Sequence, residues 1–256
     1  MKSLSFFRTS VLLCLLGLTP GTAWSQAEKP EAVADWNSRL QSARTHLIAG
    51  EHQKALDLAT PLLHEMMDSI QSGPGAARSL ALTVLSRALA EAGLGDMDAA
   101  YWDWHTARAL DPSIGEMDLT PFGATGAALK AVGPIHRNTE AEEALENQKP
   151  SRKSKRASKD RVEPPKVLSS HAPKYPKALH EICAKGTVEV ESIIDKEGRL
   201  RAPGLKDPRE NPILAIAALE AIRTWRFEPA RFKGEPVNVH YSLSVNFIPQ
   251  DCVRKG

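Results

Sequence analysis

The chain has 256 residues, 42% of them apolar, with 33 Lys and Arg against 31 Asp and Glu. A net charge near +2 excludes the strongly basic signature of many nucleic-acid binders, and no nucleic-acid partner is expected. No apolar run reaches the roughly 18–20 residues that span a bilayer, and Cys14, Cys183 and Cys252 show no CxxC spacing for a paired-Cys zinc site.

Residues 1–25 read as a cleaved export signal. Lys2 and Arg8 precede the apolar run from Val11 to Leu18, Pro20-Gly21 breaks it, and small residues at Ala23, Ser25 and Ala27 fit cleavage. Export implies an oxidising compartment. Retention of this segment as an anchor is the competing reading.

Residues 32–134 follow a helical period. The segment from Ser38 to Leu63 sets Ala43, Gly50, Ala55 and Ala59 at the offsets at which the segment from Leu85 to Pro112 sets Ala88, Gly95, Ala100 and Trp104. Small residues let antiparallel helices approach closely, and the two glycines sit where a tight turn needs a permissive backbone. Asp111-Pro112 closes the second unit. Thr120 as a cap, Pro121 in the first turn and Gly133-Pro134 as a stop predict one more helix. The pattern resembles the tetratricopeptide repeat, which implies a groove that binds a second protein. A helical spacer is the alternative, and an exposed residue among Tyr101, Trp102 and Trp104 would favour binding. His46, His52, His64 and His105 have no tight ligand spacing, so no metal site is expected.

Residues 138–166 read as a charged, disordered linker. Glu140, Glu142, Glu143 and Glu146 come first, then a basic block from Lys149 to Arg161, with few apolar residues to offset chain entropy. The basic block would make weak contact with anionic envelope polymers.

From residue 167 the period changes to that of strands. Gly186 to Asp195 reads as a strand, Lys196-Glu197-Gly198 as a hairpin turn, and Leu200 to Leu205 as the returning strand. Asn211-Pro212 starts a helix predicted to run to Trp225, with Leu214, Ala218, Ala221, Ile222 and Trp225 inward. In the last strand, Val237, Val239, Tyr241, Leu243, Val245 and Phe247 alternate with Asn238, His240, Ser242, Ser244 and Asn246, so one face is buried and the other wet. The expected fold class is α+β, with an all-α helix-hairpin domain, a linker and a small strand–strand–helix–strand domain over residues 167–252.

The residues Tyr175-Pro176, Gly186, Val188, Val190, Asp195, Gly198, Ala217-Ala218, Trp225, Phe227, Pro229-Ala230, Gly234, Val237 and Phe247 appear in the order seen in the TonB family C-terminal domain. The segment TWRFEPARFKGEPV carries its Trp-x-Phe-x-Pro-Ala and Gly-x-Pro-Val pattern. The resemblance implies a periplasmic domain that takes up the N-terminal peptide of an outer-membrane TonB-dependent transporter by strand addition. Mapped onto this sequence, the partner-binding strand comprises Asn238, Val239, His240, Tyr241, Ser242, Leu243, Ser244, Val245 and Asn246. The family's uncleaved N-terminal helix and long Pro-rich stretch are not matched, so transporter binding is a stronger expectation than complete energy transduction. An inner-membrane anchor facing the periplasm, a periplasmic scaffold or adaptor, and a homodimer formed by edge pairing are the alternatives.

In this order of elements the first and last strands can be antiparallel neighbours, which would bring Cys183 and Cys252 together as a disulfide. The enzyme motifs GxSxG and HExxH and a Gly-rich phosphate loop do not occur. A Cys183–His180 nucleophile is the one formal catalytic arrangement, and the disulfide would consume it. No cofactor and no catalytic residue is expected.

Overall fold

The computed structural model describes residues 30–69, 75–147, 162–180, 182–207 and 210–249. The expected export signal, Cys14, Cys252 and the whole basic block from Lys149 to Arg161 lie outside the described residues. No helix among the described residues is long and apolar enough to cross a membrane.

Two helix hairpins open the fold: α1 (Pro30–Ile48) with α2 (His52–Ser69), and α3 (Ala76–Gly93) with α4 (Met97–Leu110). Gly50 (φ 73°) and Gly95 (φ 86°) make the two turns. Asp96 then caps α4 by accepting from the Ala99 N–H at 3.1 Å. Ala43, Ala55, Ala59, Ala88 and Ala100 are fully buried, so the small residues do mark the helix contacts. Trp102 and Trp104 are core, and only Tyr101 of the aromatic trio is half-buried. After Asp111 the chain forms a 3-10 turn over Pro112–Glu116 and a second over Thr120–Phe122, which lead to α5 (Gly123–Lys130). Thr120, expected as a cap, lies inside the 3-10 turn, and its N–H donates to Asp118 at 2.9 Å; α5 itself starts after Phe122 with no side-chain cap.

The expectation of a disordered linker over 138–166 is corrected at both of its ends. Helix α6 (Thr139–Asn147) begins at Asn138, whose side chain accepts from the Ala141 N–H at 2.9 Å, and Ala141 is fully buried. Strands β1 (Val162–Glu163) and β2 (Lys166–Ser169) close the segment. The chain then runs through α7 (Lys177–His180), β3 (Gly186–Ile194), β4 (Leu200–Leu205), α8 (Pro212–Ile222), β5 (Arg226–Glu228), β6 (Ala230–Phe232), β7 (Glu235–Val237) and β8 (Val239–Phe247). These strands form a main antiparallel sheet in the order β4-β3-β8, a small sheet β1-β6-β7 and a pair β2-β5.

Asn211 caps α8 through the N–H groups of Ile213 and Leu214, at 3.0 and 3.3 Å. The helix ends at Ile222, short of the expected Trp225, whose indole N–H donates to the His171 carbonyl at 3.0 Å. Its burial is wider than one face: Ile213 to Leu219 are all buried, and so is Ile222. A helix apolar all round needs cover on two sides. The sheet supplies one side, and α3 and α4 supply the other. The helical and α+β parts are therefore docked through α8, together with direct packing of α4 on β4 and of α2 on α7.

Gly198 shows how tightly the hairpin packs. Its φ is 74°, and a Cβ there would overlap the carbonyl oxygen of Phe227. The Phe227 N–H in turn donates to the Gly198 carbonyl at 2.9 Å. Gly198→Ala is expected to destabilise the fold by about 1–3 kcal/mol, by combining left-handed strain with a backbone overlap. Urea denaturation would read this, and a shift near zero would show that the turn rearranges freely.

Candidate interaction edge and the seam behind it

Strand β8 pairs with β3 along its whole length, from Val239↔Ile194 to Phe247↔Gly186. Among the described residues it has no partner strand on its other side, so there it is the edge of the main sheet. The expected single last strand is broken at Asn238: Val237 pairs with Ala230 in the small sheet and Val239 with Ile194 in the main one. Asn238 itself is held at the crossover. Its side chain accepts from the Lys196 N–H at 3.0 Å and donates to the His136 carbonyl at 2.8 Å.

The alternation read from the sequence is present. Val239 and Val245 are buried, and Tyr241 and Leu243 are half-buried on the same face. Tyr241 meets Phe227 edge-to-face at 5.3 Å between ring centroids. His240, Ser242, Ser244 and Asn246 are exposed. Across the wet face, Thr187 donates to the Asn246 side chain at 2.8 Å, and His240 lies 3.9 Å from Glu191.

Backbone direction identifies the groups on the outer edge. The Asn238 carbonyl accepts from the Asn138 N–H at 2.9 Å, and the His240 N–H donates to Glu142 at 2.6 Å. Both partners lie on the side away from β3. Antiparallel strands alternate the side to which each residue's N–H and C=O point. The N–H and C=O of Ser242, Ser244 and Asn246 therefore face the same outer side. Of the nine expected site residues, Asn238 and His240 are already engaged there by the chain's own segment 136–142. Residues 242–246 form the open part of the edge.

At the end of β8, Ile182 (65% exposed) and Ile248 (72%) leave large apolar side chains in solvent. Cys183 lies beside Ile182 with φ 50°. Its expected partner Cys252 lies outside the described residues, and the pairing stays a proposal. His180 packs edge-to-face on Tyr175 at 6.1 Å. Among the described residues no group of three or more His, Cys, Asp or Glu is placed to hold a metal ion.

Behind the sheet, the contact between α8 and the helix hairpins encloses a charge cluster that the sequence reading missed. Asp103 is fully buried and accepts from Arg87 Nη2 at 2.8 Å, from Arg87 Nε, and from Arg223 Nη1 at 3.2 Å. Arg87 also donates to Glu220, and Arg223 Nη2 reaches Glu91 at 3.4 Å. Burial alone would lower the Arg87 pKa, but the charges and hydrogen bonds of Asp103 and Glu220 raise it above the ordinary arginine value. Burial, reinforced by the charge of Asp103, pushes Glu91 up to about 8, against the opposing pull of Arg223 and Arg87. At the rim, Asp98 pairs with Arg199 at 2.9 Å and Arg201 at 2.8 Å.

A cleft of about 580 Å³ opens along the same seam, between α4 and the β3–β4 turn. Burial and the charge of Arg108 lower His105, on its wall, to about 4, so the ring is neutral at neutral pH.

Residues 171–249 match the family described as Gram-negative bacterial TonB protein C-terminal. No curated protein matches the chain in sequence. The match covers the main sheet, α8 and the edge strand, and it begins after β1 and β2.

Proposed function

We propose that the protein is a TonB-like component of the envelope, with β8 as its interaction edge. An extended peptide from an outer-membrane transporter adds to the outer side of this strand, and the binding contributes to energy-dependent uptake. The observation that carries this reading is a strand with one ladder only among the described residues, whose outward N–H and C=O groups at Ser242, Ser244 and Asn246 are placed to pair with a further strand. The family match over the same residues supports it. A periplasmic location reached through a cleaved export signal, and the Cys183–Cys252 disulfide, belong to the same reading.

Photo-crosslinking in living cells from position 242, with and without Ser244→Pro, tests the proposal. Proline at 244 removes a donor that faces away from β3, so the ladder to β3 is retained. The expected result is capture of a transporter through its N-terminal segment, reduced at least about tenfold by Ser244→Pro with circular dichroism unchanged. Capture of a soluble periplasmic protein, or of the protein itself, would replace transporter binding with scaffolding or edge-to-edge dimerisation.

A further inference from the structure

Edge strands are ordinarily protected from unwanted pairing by charge, by proline or by a covering segment. Here the protection is partial and comes from the chain itself. Residues 136–142 run beside the start of β8 and engage groups there in order: the Asn238 side-chain amide donates to the His136 carbonyl, the Asn138 N–H donates to the outward Asn238 carbonyl, and the outward His240 N–H donates to Glu142. Glu142 acts as the carbonyl of a neighbouring strand would, but it belongs to the helix α6, so the pairing stops there. Arg137 lies 3.7 Å from Glu142 and Asn138 caps α6, which fixes the carboxylate over the edge. Beyond it, no hydrogen bond reaches the outward N–H groups of Ser242, Ser244 and Asn246 among the described residues.

We propose that residues 136–142 are a built-in stop, with Glu142 as the specificity-determining contact, which confines strand addition to the outer edge of Ser242–Asn246. The statement rests on β8 being the binding edge, as proposed above. The partner it fits is a short extended segment, about five residues in pairing contact, because only three successive outward-facing residues are open. A longer strand in the same register meets the carboxylate at His240 and has to turn away or displace α6.

The test uses the full chain with a photoreactive residue at position 242 or, separately, at 240. Each is examined with native Glu142, with Glu142→Ala and with Glu142→Gln, which keeps an acceptor oxygen. Crosslinks from 242 are expected in all three forms. Crosslinks from 240 are expected to be at least tenfold weaker with Glu142 or Gln and to reach the level of 242 with Ala. Equal crosslinking from 240 and 242 with Glu142 present overturns the stop and leaves the binding edge intact. So does silence at 240 in Glu142→Ala while 242 reacts. Silence at 242 throughout overturns the binding edge and, with it, the stop. Amide hydrogen exchange gives a readout that needs no partner. The His240 amide is expected to exchange at least tenfold more slowly than those of Ser242 and Ser244, and Glu142→Ala is expected to erase the difference. Uniform exchange along the native strand would overturn the proposal.

Discussion

Asp103→Asn is expected to lower the stability of the whole described fold by about 3–5 kcal/mol, the range seen when one partner of a buried ion pair is removed. The carboxylate is fully buried and serves two arginines from different parts of the chain, Arg87 of α3 and Arg223 just beyond α8. Asparagine keeps the shape but loses the charge, and Arg87, with a side chain only 5% exposed, is left with Glu220 as its counter-ion. Domain stabilities are about 5–15 kcal/mol, so the loss is a large fraction of the total. The melting temperature is expected to fall by roughly 10 °C. Asp98→Asn is the control: it removes charge from the exposed rim of the same seam, where ion pairs contribute about 0–1 kcal/mol. Thermal and urea denaturation of both variants decide the matter. Similar small shifts would mean that the cluster is open to water in solution and that the docking does not depend on it.

The second large effect is a decline of stability with pH that runs through neutrality. Glu91 is raised to about 8 in the folded protein, first by burial and then by the neighbouring Asp103 charge, from an ordinary value of 4.5. Between these two values the folded state holds a proton that the unfolded chain releases. Unfolding then becomes more favourable as pH rises from about 4.5 to about 8, and above that the contribution is constant. The sign is opposite to that of Glu65, held below its ordinary value first by Arg39, and of Asp111, held below its own against burial by hydrogen bonds from Ser113 and then Arg78; their stabilisation fades only in acid. Glu91→Gln supplies a permanently neutral side chain that accepts from Arg223 and donates towards Asp103. It is expected to stabilise the protein at pH 8 by on the order of a few kcal/mol and to flatten the decline. Melting temperatures of native and variant protein from pH 5 to 9 would show the two curves converging towards pH 5. Curves that stay parallel would sink this account of Glu91.

Much of the architecture was legible because it is local. Gly50 and Gly95 marked both helix turns, Asn211-Pro212 marked the start of α8, and the alternation from Val239 to Phe247 gave the faces of the edge strand before any pairing was known. The edge position of β8 came from the family resemblance, since strand order is not local information. The helical cover of α8 was missed although its signal was present. In PILAIAALEAI a single charged residue, Glu220, interrupts an otherwise apolar surface, and such a helix cannot leave one face in water. Reading only Leu214, Ala218, Ala221, Ile222 and Trp225 as the inner face assumed one covering layer. The helix at 139–147 was missed because four glutamates dominated its composition. The capping asparagine at 138 and an acidic first turn are ordinary start signals. The buried cluster had no local signal: Arg87 and Asp103 face each other across the α3–α4 hairpin, and Glu220 and Arg223, more than a hundred residues further on, join them only when α8 docks.

The same docking changes how far the protein can reach. Helix α6, where the segment from 148 leaves, packs against β1, where it returns. The ends of that stretch are thus held together on one body, while α3, α4 and α8 hold the hairpins to the same body. Lengthening the sequence between these two ends would not move the edge strand away from the helices. A partner bound at Ser242–Asn246 would therefore be carried on the same packed body as the helix hairpins, and whatever the hairpins touch would be brought to it by that packing.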